Sequence, residues 1–368
     1  MHLPLANGNN NKSSNAPASV VELPRNKLHS SLFHPSCREW LEPHLHPSQL
    51  IWPVFVTQKV EDKEIPGFRW IATNRRLQRF GYLSPNMQYG RGDKGTYPGL
   101  IKKLMELVKK GLKHVMVFGV VEDKDPNGSM ADADICPVIE CIKSIKSHTE
   151  LCNICILADV CMCEYTSHGH CGILRIVNGE ECIDNKQTVC RLANIALKYA
   201  IAGADIVCPS DMMDSRIASI RDILDTSGYE HVQIMAYTSK KASVMYAPFR
   251  DAVDSTFKGD RKRYQHPVGS SSIAMRALER DLSEGADLVI VKPSLFYGDI
   301  IHQFKESSNI PVVAYIVSGE YKMLYDYGQA TGDMNSVVRE SHISILRAGA
   351  TVLITYFTPY ILDNLHKW

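Results

Sequence analysis

Short apolar runs recur along the chain, and helical patterns fill the gaps between them. Eight runs stand out: Leu50–Val56, His114–Val120, Asn153–Val160, Asp205–Ser210, Val232–Thr238, Leu288–Ser294, Pro311–Ser318 and Thr351–Thr358. They are nearly continuous in apolar residues rather than alternating, as strands covered on both faces are. Leu100–Leu112, Cys190–Ala202 and Ile273–Glu284 instead space apolar residues three and four apart, which predicts helices with one buried face. Gly111, Gly203, Gly285 and Gly349 close such stretches just before the next strand, where a left-handed residue ends a helix. Strands alternating with helices imply a parallel sheet, and eight such units imply an α/β fold closed as a (β/α)8 TIM barrel. An open doubly wound sheet is the alternative. It would carry a glycine-rich phosphate fingerprint after the first strand, and that fingerprint is missing.

Two segments depart from the beat. Residues 1–27 are rich in Asn, Ser and Pro and predict a flexible extension. Phe33 and Trp40 then supply apolar anchors, so residues 1–40 read as an N-terminal extension and oligomerisation arm, ahead of a barrel domain over 41–368. Phe68–Gly92 is an insertion with Arg69, Arg75, Arg76, Arg79 and Arg91 and no acidic residue. It falls between the first strand and the first helix and is expected to be a solvated loop, with a contact surface for a subunit or an anion as the alternative.

Composition adds bounds. Of the 368 residues, 45% are hydrophobic and 22% charged, with a net charge of +1, so neither nucleic acid nor an acidic membrane surface is an expected partner. The apolar runs are too short to span a bilayer. The N-terminus lacks the pattern of a secretory signal, and a cytoplasmic location is expected. Eleven cysteines then fit a reducing compartment, where clustered thiols mean metal or catalysis.

The cluster is Asp159-Val-Cys161-Met-Cys163 through to Cys171-Gly172, with His168 and His170 inside it. Thiolates and imidazoles suit zinc (Zn2+). The spacing is not that of a structural finger. Three close ligands with no obvious fourth leave a position for water or substrate, the mark of a catalytic site. Buried, inert cysteines are the plainer reading.

In such a barrel the chemistry lies at the C-terminal ends of the strands. Those ends carry Asp159, Ser210, Asp211, Lys240, Lys292, Ser318, Glu320, Tyr356 and Thr358. Lys292 follows three apolar strand residues, so burial should lower its pKa and free the amine as a nucleophile. Lys240, on the adjacent strand, is expected to be suppressed in the same way, each ammonium discouraging the other. Lys241 is expected to be exposed. The long segment from Tyr246 and Phe249 through Arg250 and Arg261 to Gln265 reads as a lid whose arginines could pair with a carboxylate.

These motifs together resemble the porphobilinogen synthase family, also called δ-aminolevulinic acid dehydratases. The resemblance runs from about Leu32 to the C-terminus. It rests on the cysteine loop, Pro209-Ser-Asp-Met-Met-Asp214, Val291-Lys-Pro293 and Val317-Ser-Gly-Glu320. It implies condensation of two 5-aminolevulinate molecules to porphobilinogen with loss of two waters, in tetrapyrrole biosynthesis. Lys240 and Lys292 would form Schiff bases with the two ketones, Lys292 with the first-bound molecule. Ser318 and Tyr356 would hold that molecule's carboxylate, and Arg250 and Arg261, with Gln265 nearby, the other. Asp159, Ser210, Asp211, Tyr246 and Phe249 would line the pocket.

Cys161, Cys163 and Cys171 would hold a catalytic zinc. His170 is a candidate ligand for a second metal, although the lid position that would supply a partner cysteine holds Arg263. Ile273 stands where magnesium-using members carry a glutamate, so no allosteric magnesium is expected. The family assembles as octamers, the arm of one subunit hugging the next. Two other readings compete. A class I aldolase needs one lysine and no thiolate site. A catalytically silent homologue would serve as a zinc-binding or interaction scaffold.

Overall fold

The computed structural model describes residues 32–65, 86–92, 95–253, 255, 257 and 259–368. Eight parallel strands form a closed ring: β1 (Leu50–Thr57), β2 (His114–Val120), β3 (Cys155–Val160), β4 (Ile206–Pro209), β5 (Gln233–Lys240), β6 (Leu288–Lys292), β7 (Val312–Ile316) and β8 (Val352–Thr355). Each pairs with its neighbour in sequence. The ring closes where Leu50 lies opposite Leu353 and Ile51 opposite Ile354. This is the (β/α)8 barrel that the apolar beat predicts, and closure rules out the open sheet. The continuous runs are explained by cover on both faces: every residue of β1, β6 and β7 is buried. Helices such as Pro98–Lys109, Asn185–Ala202 and Ser272–Ser283 form the outer layer. Gly203 (φ 108°) and Gly349 (φ 118°) end their helices in the left-handed conformation that the sequence assigns to them.

The insertion needs a correction at its C-terminal end. Met87–Gly90, expected as solvated loop, is a short strand beside β1, with Phe55 opposite Gln88, and it pairs on its other edge with Lys63–Glu64. Gln88 is buried and its Nε2 donates to the Ala252 carbonyl at 2.8 Å. Arg91 forks onto Glu140. Four residues of mixed polarity carry no periodic signal, which is why the strand is invisible in the sequence. Residues 68–85 of the insertion lie outside the described residues. A hairpin, Leu174–Val177 with Glu180–Ile183, follows the cysteine loop and is likewise too short for pattern reading.

The chain divides into two compact units, residues 1–42 and 43–368. In the first, the extension up to residue 31 lies outside the described residues. What is described is the helix Pro35–Glu39, capped by the His34 ring, which accepts the Ser36 N–H at 3.3 Å. Phe33 and Trp40 are exposed.

Candidate active site

β5 and β6 run in register at their C-terminal ends, so Lys240 and Lys292 are direct cross-strand partners. Both side chains are buried. The Lys292 ammonium is boxed in by aromatic rings: Tyr315 at 4.1 Å from Nζ to the ring centre, Tyr237 at 5.0 Å, Phe249 at 5.1 Å and Tyr246 at 5.6 Å. Burial, and then the neighbouring Lys240 charge, push its pKa down to about 7.

Lys240 behaves differently from the expectation. Its Nζ donates to the Ser210 carbonyl. Burial would lower it, but the sulfurs of Cys171, Cys161 and Cys163, with Asp159, outweigh burial and hold its pKa above the usual lysine value. The two amines are thus polarised apart rather than jointly suppressed. Lys241, expected at the surface, is fully buried. The chain near His266 folds over the strand end, where the His266 N–H donates to the Lys240 carbonyl at 2.9 Å. Lys241 Nζ is left to the Ser270 carbonyl.

The cysteine loop leaves the end of β3 in a tight turn, with the Tyr165 and Thr166 N–H groups both donating to the Met162 carbonyl at 2.9 Å. The Thr166 hydroxyl donates to the His170 carbonyl at 2.8 Å and draws the far side of the loop in. As a result the sulfurs of Cys161, Cys163 and Cys171 all lie within 4.8 Å of one another, and all three residues are buried. Thiolates about 2.3 Å from a tetrahedral zinc sit about 3.8 Å apart, so the trio fits such an ion with one position to spare. Among the described residues no other group of three metal-ligating side chains is this close. His170 instead meets the Tyr264 hydroxyl through Nδ1 at 3.0 Å, and Arg263 pairs with Glu180 at 2.7 Å.

Asp159, the last residue but one of β3, accepts the Ser210 hydroxyl at 3.1 Å. Burial, and then Glu164, raise its pKa to about 7. Glu164 escaped the sequence reading although it directly follows Cys163. It is buried, accepts from the Cys163 sulfur at 3.1 Å, and lines the same cavity. Asp159, Ser210, Lys240, Lys292, Tyr246, Phe249, Arg250, Arg261 and Cys163 also line it, and the cavity volume is about 20 Å³.

The remaining expected residues stand around this lining. Ser318 accepts the Phe249 N–H at 3.0 Å, and the Tyr356 hydroxyl meets that of Tyr315 at 3.3 Å. Gln265 is buried, its backbone N–H donating to the Arg261 carbonyl at 2.8 Å and its Nε2 lacking a hydrogen-bond partner. Asp211 is not among the lining residues. Its carboxylate accepts the Met213 N–H at 2.7 Å and faces Arg216 at 3.7 Å. Glu320 is a clamp: it accepts the N–H groups of Leu295 at 2.8 Å, Val317 at 2.9 Å and Ser294 at 3.2 Å, tying the loop after Lys292 to the end of β7.

Two amines, two carboxylates, three cysteine sulfurs and two guanidiniums therefore meet at one end of the barrel. Comparison with known proteins agrees with the resemblance in the motifs. The family profile described as delta-aminolevulinic acid dehydratase matches residues 93–364. The delta-aminolevulinic acid dehydratase of Dictyostelium discoideum is 43% identical, covering 92% of this chain and 96% of that one. The Bos taurus protein of the same name is 39% identical, over 94% and 99%. The crystal structure of the Toxoplasma gondii delta-aminolevulinic acid dehydratase (porphobilinogen synthase), in complex with the reaction product porphobilinogen, superposes with a TM-score of 0.82 at 33% identity, covering 93% of this chain and 92% of that one. By sequence and by structure, the chain belongs to the delta-aminolevulinic acid dehydratase family.

Proposed function

We propose that the chain is a porphobilinogen synthase that joins two 5-aminolevulinate molecules, with loss of two waters, through Schiff bases on Lys292 and Lys240. The observation that carries this reading is the cross-strand lysine pair in one cavity with Cys163, a member of the cysteine trio. An aldolase would need only one of those amines and none of the sulfurs. At neutral pH a substantial fraction of Lys292 is the free amine, able to add to a ketone. Asp159, with a pKa near 7 and a hydroxyl partner in Ser210, can take up and return the protons that carbinolamine formation and dehydration require. Arg250 and Arg261 offer bidentate partners to the carboxylate of one substrate. Ser318 and Tyr356 would serve the other.

Held by Cys161, Cys163 and Cys171, zinc would supply Lewis-acid polarisation of the second substrate. Pockets for small ligands run to a few hundred Å³, against the roughly 20 Å³ here. Arg250 and Arg261 would then sit on a lid that opens to admit substrate, in keeping with the sequence of this segment. The exposed Phe33 and Trp40 favour an arm that is covered in an oligomer, an octamer by family resemblance. Among the described residues no helix is long and apolar enough to cross a membrane, and we place the enzyme in the cytoplasm.

The test is colorimetric detection of porphobilinogen from 5-aminolevulinate, with and without a zinc chelator. Pyrrole formation that a chelator abolishes and zinc restores is expected. No pyrrole from folded, zinc-loaded protein would return the chain to the scaffold reading.

A further inference from the structure

Phe257 lies in the segment between the two cavity arginines and carries no chemistry of its own. Its ring nevertheless meets both. The Arg261 guanidinium carbon is 4.7 Å from the ring centre and that of Arg250 is 5.7 Å away. The His170 ring meets it edge-on, with centres 5.0 Å apart and planes at 85°. The backbone of Phe257 is seated just as closely. A Cβ placed on Gly169 would come within 2.8 Å of the Phe257 Cα and Cβ, so only a glycine there lets the two segments touch. Arg261 reinforces the join by donating from Nη2 to the Gly169 carbonyl at 2.8 Å.

We propose that Phe257 is a positioning residue that aligns Arg250 and Arg261 as one carboxylate clamp and seats that clamp against the cysteine loop. Two guanidiniums facing one cavity repel each other. Burial and the Arg261 charge together hold the Arg250 pKa below its ordinary value. An aromatic ring presents negative π density to both cations and offsets that repulsion without forming a salt bridge that would compete with the substrate. A carboxylate in Phe257's place would neutralise the arginines outright, and an aliphatic side chain would leave them unaligned. The inference rests on the reading of Arg250 and Arg261 as ligands of a substrate carboxylate.

The experiment compares Phe257→Leu, which removes the π face, with Phe257→Tyr, which keeps it. For Phe257→Leu, KM for 5-aminolevulinate should rise about tenfold, the size expected for losing ring contacts to two guanidiniums. Its kcat should stay within about threefold, because the reacting amines are untouched. Phe257→Tyr should restore KM to within about twofold of the wild type, with zinc content unchanged in both. A KM for Phe257→Leu within about twofold of the wild type overturns the proposal. So does a Phe257→Tyr variant as impaired as Phe257→Leu, or a loss confined to kcat. Phe257→Met provides the same comparison should Phe257→Leu fail to fold. A wild-type protein that makes no porphobilinogen would instead overturn the proposed reaction. The clamp is then read by calorimetric binding of levulinate, a keto acid that lacks the amine. Phe257→Leu should weaken that binding about tenfold, and equal affinities would sink the clamp itself.

Discussion

Lys240 and Lys292 sit opposite each other across β5 and β6, yet their surroundings push them in opposite directions. Lys292 is enclosed by rings and held down to about 7, whereas Lys240 lies within reach of the sulfurs and is held up. A pair so polarised divides the work. Lys292 can act as the amine that first meets a ketone. Lys240, beside the sulfurs and Asp159, is the more basic amine of the two.

The pH dependence follows from the sign of the Lys292 shift. Below its pKa the amine is protonated and cannot add to a carbonyl. Above it the amine is free. The rate constant kcat/KM should therefore fall about tenfold per pH unit on the acid side and level off above pH about 7. Initial rates across the acid and neutral range check this. A profile flat from roughly pH 5.5 to 8.5 contradicts it.

Loss of one sulfur should cost both metal and turnover. Cys161→Ala, Cys163→Ala and Cys171→Ala are each expected to lower zinc content by elemental analysis and to lower pyrrole formation, since two thiolates close a tetrahedral site poorly. Three variants with wild-type zinc and wild-type activity would return these cysteines to the packed core.

Arg216 holds the loop after β4 from beneath. It is fully buried, donates to the carbonyls of Met213 at 3.2 Å and Tyr237 at 3.1 Å, and pairs with Asp281 at 3.3 Å. Arg216→Met leaves the buried Asp211 carboxylate without its cation and leaves Asp281 with Arg280 alone. Removing one member of such a pair costs about 3–5 kcal/mol. The urea midpoint should drop accordingly, and an unchanged midpoint would show that the charges are solvated after all.

Ser215 opens the helix Arg216–Thr226 with φ 65°, and its side chain makes no capping bond there. A left-handed non-glycine residue costs roughly 1–2 kcal/mol, against a glycine entropy cost of about 0.4–1 kcal/mol. Ser215→Gly should raise stability by roughly 0.5–1 kcal/mol, read from thermal or urea unfolding. A destabilised variant would mean that the serine makes a compensating contact.

The barrel was legible because burial on both faces writes each strand as an unbroken apolar run, and Lys292 stood out because it interrupts one. Other features were not legible. The cover over Lys241 comes from Ser270 and the chain near His266, which strand periodicity does not register. Asp211 is engaged by Arg216, a buried cation that no local pattern distinguishes from a surface one. The rise in the Lys240 pKa depends on how near the sulfurs come in space, a distance that spacing along the chain does not contain. Glu164 and Phe257 were missed because each acts through neighbours contributed by other segments.

The most direct measurement is borohydride reduction of the folded, zinc-loaded protein in the presence of 5-aminolevulinate, followed by peptide mass mapping. A reduced substrate adduct on Lys292 is the predicted result. A protein that makes the pyrrole while its Lys292 peptide stays unmodified would contradict the assignment of that lysine as the Schiff-base residue.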